Sequence, residues 1–383
     1  MLRQRVTRLD EAVNDAAAIE LLENLVRIPS PSGAEGAAVH WLVDWMRRYG
    51  FETHSDAVGN ALGVRGHGAN RILLLGHIDT FPGTLPVQRD GEWLSGRGSV
   101  DAKGALCAFA FAAATLPIEP DWQVIVAGAV EEEVASSRGA RHLLETMAPP
   151  RYCIIGEPGG WERITLGYKG RLIVDLQWRA PFAHSAGPHQ LPAEGAVALW
   201  NAIVAHSQAF NAGRTGAFER LEPSLRHIAT RDEGAYCHIE MSVSFRVPPD
   251  LSPSQLAETV QQLVASNGLS SIEPAIGDDR NNEGVSVTFS GAEVAFRADK
   301  NTPLVRSLLR AIRQRGGTPR FVYKTGTSDM NVVGPVWGVP IVAYGPGDSA
   351  LDHTPAERIH LGEYLRSIEV LREALALLQR GVI

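Results

Sequence analysis

Two rhythms of apolar and polar positions run along this chain, and they change over twice. From residue 16, AAAIELLENLVRI places apolar residues at helical spacing and stops at the turn cluster PSPSG. EGAAVHWLVDWMRRYG follows as a second amphipathic helix. Arg47 and Arg48 lie in its last turn and Gly50 at its end, where cations and glycine suit a helix C-terminus. Apolar runs over 71–76, 122–129 and 151–156 predict buried strands, with helix-like segments at 101–116 and 137–146 between them. Strands alternating with helices predict a mainly parallel sheet covered on both faces.

The middle of the chain reads differently. ITLGYKGRLIVDLQWRA (164–180) and YCHIEMSVSFRV (236–247) are β-rich and partly alternating. Helical patterns cover 194–208 and 253–267, and VSVTFSGAEVAF (285–296) closes the region as a strand. This predicts an α+β unit, a sheet with two helices on one face. After DKNTP the first style returns. TPLVRSLLRAIRQRGG is a helix ending in glycines; FVY, a Gly/Ser turn, the strand VPIVAYG and a helix at 362–379 follow. The middle is therefore expected to be an insertion into one discontinuous α/β domain.

Composition narrows this further. A chain of 383 residues fits about two domains. Its 44% apolar and 21% charged residues are those of a soluble globular protein. A net charge of −7 gives no basic footprint for nucleic acid. No apolar run approaches the ~20 residues of a membrane span, and MLRQRVTRLDEAVNDAAAIE lacks the apolar core of a signal peptide. Cys107, Cys153 and Cys237 are far apart and show no CxxC spacing, which reads as reduced core thiols. The expectation is a cytoplasmic chain with no membrane and no nucleic-acid partner.

The chemistry lies just past the strands. In open α/β sheets, functional residues gather outside the carboxyl ends of the strands. His77 and Asp79 follow 71–76, in GHIDTFPG; at i and i+2 they point the same way on extended backbone. Glu131, Glu132 and Glu133 follow the second run, and Glu157 the third. Asp348, Asp352 and His353 follow VPIVAYGPG, and Asp101 opens a helix after GRGSV. Each alone has a plainer reading: a polar loop pair, a solvated helix start, an N-cap, a turn residue. Together, five strand-end positions supply ligand types. Neutral imidazole with carboxylate suits Zn, Mn or Co. Two histidines with three or more carboxylates exceed one tetrahedral site, so a two-metal site with one spanning carboxylate is the economical reading. A further unligated carboxylate would be the general base. Other chemistries lack parts. GxSxG, Walker A, HExxH and a helix-opening GxGxxG are absent. Lys324-Thr325-Gly326 and Ser328-Asp329-Met330-Asn331 look like KTG and part of SDN, but no SxxK supplies a nucleophile.

GHIDTFPG, GRGSVDAKG, EEEVASSRGA, GEP and the terminal His353 resemble, in order and spacing, the motifs of the M20 metallopeptidases and amidohydrolases, over roughly residues 15–380. The resemblance implies an α/β fold: a mainly parallel-sheet, zinc-peptidase-like catalytic domain at 1–167 and 298–383, with an inserted α+β lid and dimerisation domain at 168–297. It implies two divalent metal ions, zinc first and cobalt as the alternative. His77 and Glu157 would hold one, Glu133 and His353 the other, with Asp101 bridging. Asp79 would orient His77, and Glu132 would be the general base. A frame shifted by one would make Glu131 the base and Glu132 the ligand. His184, in FAHSAGP, matches a lid histidine that reaches a neighbouring active site and stabilises the oxyanion. Arg246, in SFRVPPD, matches a lid arginine for a substrate carboxylate, and Lys324 and Ser328 lie where substrate-contacting loops occur.

Within the family, GRGSVDAKG, YKGR and KTGTSDMN look most like members that release lysine or ornithine from an acidic amino-group carrier protein. That resemblance implies hydrolysis of an amide on the carrier's C-terminal glutamate, at the end of lysine biosynthesis, by a homodimer. Lys169, Arg171, Arg246, Arg297 and Lys324 are the candidates for a local basic rim. The alternative within the class is deacylation of a free N-acyl amino acid, such as N-acetylornithine or N-acetyl-lysine. The alternative outside it is a non-catalytic metal-binding protein on the same fold.

Overall fold

The computed structural model describes residues 15–182, 184, 191–268 and 285–381. Helices α1 (Asp15–Val26) and α2 (Gly36–Arg48) bury the stripes read from their sequences, Leu21, Leu22 and Leu25 on the first and Val39, Leu42 and Met46 on the second. The chain continues through β1 (Glu52–Ser55), β2 (Ala61–Gly66), β3 (Asn70–His77) and the hairpin β4 (Gln88–Asp90) and β5 (Trp93–Ser95). Then come α3 (Lys103–Thr115), β6 (Trp122–Ala129), α4 (Arg138–Thr146), β7 (Tyr152–Gly156) and β8 (Arg163–Tyr168). The middle supplies β9 (Gly170–Pro181), α5 (Pro192–Phe210), β10 (Glu222–Glu233), β11 (Tyr236–Val247), α6 (Pro253–Ser266) and β12 (Val285–Glu293). The last part adds β13 (Phe296–Arg297), α7 (Pro303–Gln314), β14 (Arg320–Lys324), α8 (Asp329–Trp337), β15 (Ile341–Ala343), β16 (Arg358–His360) and α9 (Leu361–Arg380).

Two compact units result. One comprises Met1–Gly167, Arg297–Tyr323 and Ser328–Ile383; the other Tyr168–Phe296 and Lys324–Thr327. The first unit holds a mixed sheet ordered β1-β2-β6-β3-β7-β15-β8-β13, with β14 joined to β8. Its centre, β6-β3-β7-β15, is parallel. Antiparallel pairings flank it at β1·β2, β2·β6 and β15·β8. Ile72 through Leu75 of β3 are fully buried, so both faces of the sheet centre are covered. Helix α3 (KGALCAFAFAAAT) is buried all round through Ala114, which explains its lack of an apolar stripe. The chain passes from β3 to β6 on one side and later to β7 on the other. The order therefore reverses beside β3, which leaves a crevice at its carboxyl end, where His77 lies.

The second unit is an antiparallel sheet, β10-β11-β9-β12. Alternate residues of β9 and β11, among them Leu172, Val174, Leu176, Ile239, Met241 and Val243, form one buried face. Leu199 and Ile203 of α5 and Leu256 and Val260 of α6 complete that core. No helix among the described residues is long and apolar enough to cross a membrane. All three cysteines are buried and free.

Several elements depart from the sequence reading. Strands β4, β5 and β16 have three residues each and form a separate small sheet, β16-β5-β4. Runs that short carry no readable periodicity. Helix α8 occupies the segment expected to be a Gly/Ser turn. Its Gly334 and Pro335 mask the pattern, and burial of Met330, Val333 and Trp337 outweighs poor propensity.

Candidate metal centre

The carboxyl ends of the parallel strands bring the ligand-type residues together. His77 closes β3, Glu131–Glu133 follow β6, and Glu157 follows β7. Ligand atoms of His77, Asp101 and Glu157 lie within 4.8 Å of one another, and so do those of Asp101, Glu133 and His353. Asp101 belongs to both groups. Its Oδ1 lies 3.3 Å from His77 Nε2 and its Oδ2 3.0 Å from His353 Nε2. His353 Nε2 is also 2.9 Å from Glu133 Oε2.

The tautomer of His77 follows from its partner. Its Nδ1 lies 2.9 Å from the Asp79 backbone oxygen, which can only accept. Nδ1 therefore carries the proton, and in the neutral ring Nε2 presents its lone pair toward Asp101. The Asp79 carboxylate does more than face His77, from which its Oδ1 is 3.5 Å. It accepts the Glu132 and Glu133 N–H groups, both at 3.0 Å, and the Ser32 hydroxyl at 2.8 Å. Asp79 thus ties β3, the glutamate loop and PSPSG into one scaffold. Ser30 reinforces it, donating to the Ile78 carbonyl at 2.7 Å. These serines went unassigned because a serine in a turn cluster has no sequence signal of its own beyond turn formation.

Two site residues other than glycine have left-handed backbone, Glu131 at φ 58° and His353 at φ 61°. Such conformations persist where surrounding contacts hold them. Glu131 is held by its side chain: it accepts from Ser136 at 2.7 Å and pairs with Arg138 at 2.8 Å, so its carboxylate is engaged outside the two ligand groups. Glu35 accepts the Glu131 N–H. Gly98, at φ +83°, sits where a Cβ would lie 2.7 Å from Thr80, so the Asp101 loop can approach β3 only with glycine there.

The electrostatics show a surplus of negative charge. No Lys or Arg among the described residues forms an ion pair with Asp101, Glu133 or Glu157. Burial opposes the charge on Asp101, but contacts with His353 and then His77 hold its carboxyl below the ordinary range. The same contact with Asp101, then that with Glu133, raises His353 to about 10. Burial opposes a charged His77 too, yet Asp101 and Asp79 lift it well above its usual value. Burial drives Glu132 and Glu157 well above the ordinary carboxylate value. Buried Asp329, raised to about 7 by burial, has an Oδ1 without a hydrogen-bond partner. Two imidazoles and three carboxylates, crowded and short of cations, fit a pair of divalent ions. His353, partly exposed, marks the open side.

The remaining candidates lie elsewhere. His184 is exposed beyond the end of β9; Ala183 and residues 185–188 of its motif lie outside the described residues. Arg246, on β11, is half-buried, its Nη1 3.4 Å from Thr327 Oγ1. Lys324 ends β14, and its carbonyl accepts the Lys169 N–H. Ser328 is buried and caps α8, its hydroxyl accepting from the Met330 N–H at 3.1 Å. Two basic-rim candidates are corrected. Lys169 is fully buried against Glu222 at 2.8 Å, and Arg171 is paired through two bonds with Glu293. Charge alone could not reveal that these cations are consumed internally.

Fold and metal centre together define the class, and the comparisons agree: the sequence model of Peptidase family M20/M25/M40 matches residues 73–377. The chain belongs to that family and is a metal-dependent amide hydrolase. It is 43% identical over 371 residues to LysW-lysine hydrolase of Deinococcus radiodurans, spanning 95% of this chain and 98% of the relative. LysW-lysine/LysW-ornithine hydrolase of Sulfurisphaera tokodaii is 29% identical over 372 residues, with 95% and 98% covered. Among solved structures, the M20 family metallo-carboxypeptidase Sso-CP2 of Sulfolobus solfataricus matches with a TM-score of 0.73 at 16% identity, over 95% of this chain and 99% of that one. A dinuclear metal-binding peptidase of the M20 family from Bacillus subtilis matches with a TM-score of 0.66 at 11% identity, over 96% and 99%. At those identities the likeness concerns the fold.

Proposed function

We propose that this enzyme releases lysine, with ornithine as the second candidate, from the LysW amino-group carrier protein. It would hydrolyse the amide between the amino acid's α-amino group and the γ-carboxyl of the carrier's C-terminal glutamate, the last step of lysine biosynthesis through α-aminoadipate. The observation that carries the metal chemistry is the sharing of Asp101 between two histidine–carboxylate groups. The 43% identity to a LysW-lysine hydrolase over nearly the whole chain supports the substrate.

His77 and Glu157 would hold one ion, Glu133 and His353 the other, and Asp101 both; zinc is the ion proposed, and cobalt shares its ligand preference. Bound there, the pair would acidify a water and polarise the scissile carbonyl. Glu132 takes the proton of the attacking water and delivers it to the leaving amine. Burial raises its proton affinity, which favours the first of these transfers. Glu131, engaged by Ser136 and Arg138, is the poorer base. Asp79 orients His77 and fixes the backbone of Glu132 and Glu133. In the same reading, residues 168–297 form the lid, His184 donates to the oxyanion, and Arg246 receives a substrate carboxylate. Arg246 suits that role because it is half-buried beside a second arginine, Arg171, whose own charge is already met by Glu293.

The test is metal-dependent release of free lysine and ornithine from aminoacylated carrier, beside N-acetyl-lysine and N-acetylornithine in one assay. Preference for the carrier substrates is expected. Faster turnover of the small acyl compounds would move the enzyme to a deacylase role.

A further inference from the structure

Glu357 is a buried carboxylate that neither group of candidate ligands includes, 1% exposed and four residues beyond His353. Its Oε1 accepts the N–H groups of Val100 at 3.1 Å and Asp101 at 3.2 Å. Its Oε2 pairs with Arg97 at 2.6 Å. Its backbone carbonyl accepts the Gly96 N–H at 3.3 Å, and the next residues form β16, which pairs with β5 through Arg358 opposite Ser95. The segment bearing His353 and the segment bearing Asp101 are thus laced together beside the metal centre.

The lacing reaches the imidazole by a second route. The Arg97 guanidinium lies 5.7 Å from the centre of the Phe81 ring. Phe81 stacks on His353, ring centres 4.4 Å apart and planes 16° off parallel. His353 Nε2 returns to Asp101 Oδ2 at 3.0 Å. The contacts close a ring: Asp101 backbone, Glu357, Arg97, Phe81, His353, Asp101 side chain.

We propose that Glu357 is a positioning residue that sets the separation of Asp101 and His353, with Arg97 and Phe81 carrying its hold to the imidazole. Burying a carboxylate is costly, and an apolar side chain would fill the same space. Only an acceptor, however, can satisfy two N–H groups and an arginine at once. Supports of this kind around metal ligands govern affinity because ligand placement tolerates errors of only about half an ångström. This inference rests on the two-ion reading above.

The experiment is a titration of the metal-free full chain with zinc against a chromophoric chelator, resolving both binding steps, with thermal unfolding of each metal-free protein alongside. Wild type is expected to bind two ions. Glu357→Gln is expected to weaken both steps, by about 10- to 100-fold, because both ions share Asp101. Phe81→Leu, at a side chain 40% exposed, is expected to weaken only the step that uses His353, by about threefold to tenfold, with its metal-free melting temperature unchanged. Wild-type affinity at both steps in either variant overturns the proposal. If Glu357→Gln does not fold, Phe81→Leu decides alone. Failure of the wild type to bind two ions would instead remove the two-ion reading.

Discussion

Asp101 and Glu132 both act on His77 but are expected to fail in different ways. Asp101 offers one oxygen to each histidine. Asp101→Ala should therefore lose both ions and activity together, as measured by metal analysis after gel filtration; retention of both ions would remove Asp101 from the bridge. Glu132 sits in neither ligand group. Glu132→Ala should keep both ions and lose about 10²- to 10⁴-fold in kcat, the usual range for a general base. A near-normal rate would end that assignment. Asp79 holds the backbone of Glu132 and Glu133, and Ser32 with them, through its three accepted hydrogen bonds. In Asp79→Asn an NH₂ group would confront N–H donors, and metal affinity or activity should fall about 10- to 100-fold.

Among the elements, those that carry chemistry are the least regular. The glutamate loop is held by side-chain-to-backbone bonds to Asp79 and Glu35, and the 96–101 turn by bonds to Glu357 beyond His353, because loop N–H groups at the site have no ladder to join. The regular elements follow familiar end chemistry. Ser252 and Gln255 form a reciprocal cap at the start of α6, the hydroxyl accepting from the Gln255 N–H at 3.1 Å. Ser252→Ala should cost about 1 kcal/mol in urea unfolding and leave turnover unchanged; no loss of stability would show the cap to be redundant. Helices α1 and α2 were legible because their stripes face one core. Helix α8 was not, because its glycine and proline read as a turn until burial is known.

For the whole molecule, the unbalanced carboxylates make metal and fold interdependent. Ions that bind the native state add RT ln(1 + [L]/Kd), about 2.7 kcal/mol at a hundredfold excess over Kd. Chelation should lower the melting temperature, and zinc should restore it in scanning calorimetry; an unmoved transition would argue against ions held by this centre. The three thiols lie within the protein, and burial raises the pKa of Cys107 and Cys153. None should react with a thiol reagent at neutral pH before unfolding. Rapid labelling of any one would show that its core opens.

Periodicity and residue type, properties of the chain alone, were enough to determine the α/β class, the strands that meet at the centre and the residue types able to hold metal. They also carried the family, because GHIDTFPG, GRGSVDAKG and EEEVASSRGA are contiguous motifs whose order survives in one dimension. Tertiary structure decided which glutamate of three turns aside, since Ser136 and Arg138 engage Glu131 only once the loop is folded. It also decided that Lys169 and Arg171 are spent on internal partners. Only the fold shows that Glu357 reaches back some 256 residues to the Asp101 N–H. Hydrogen bonding and burial between distant segments leave no period and no local motif, so a chain read in order cannot display them.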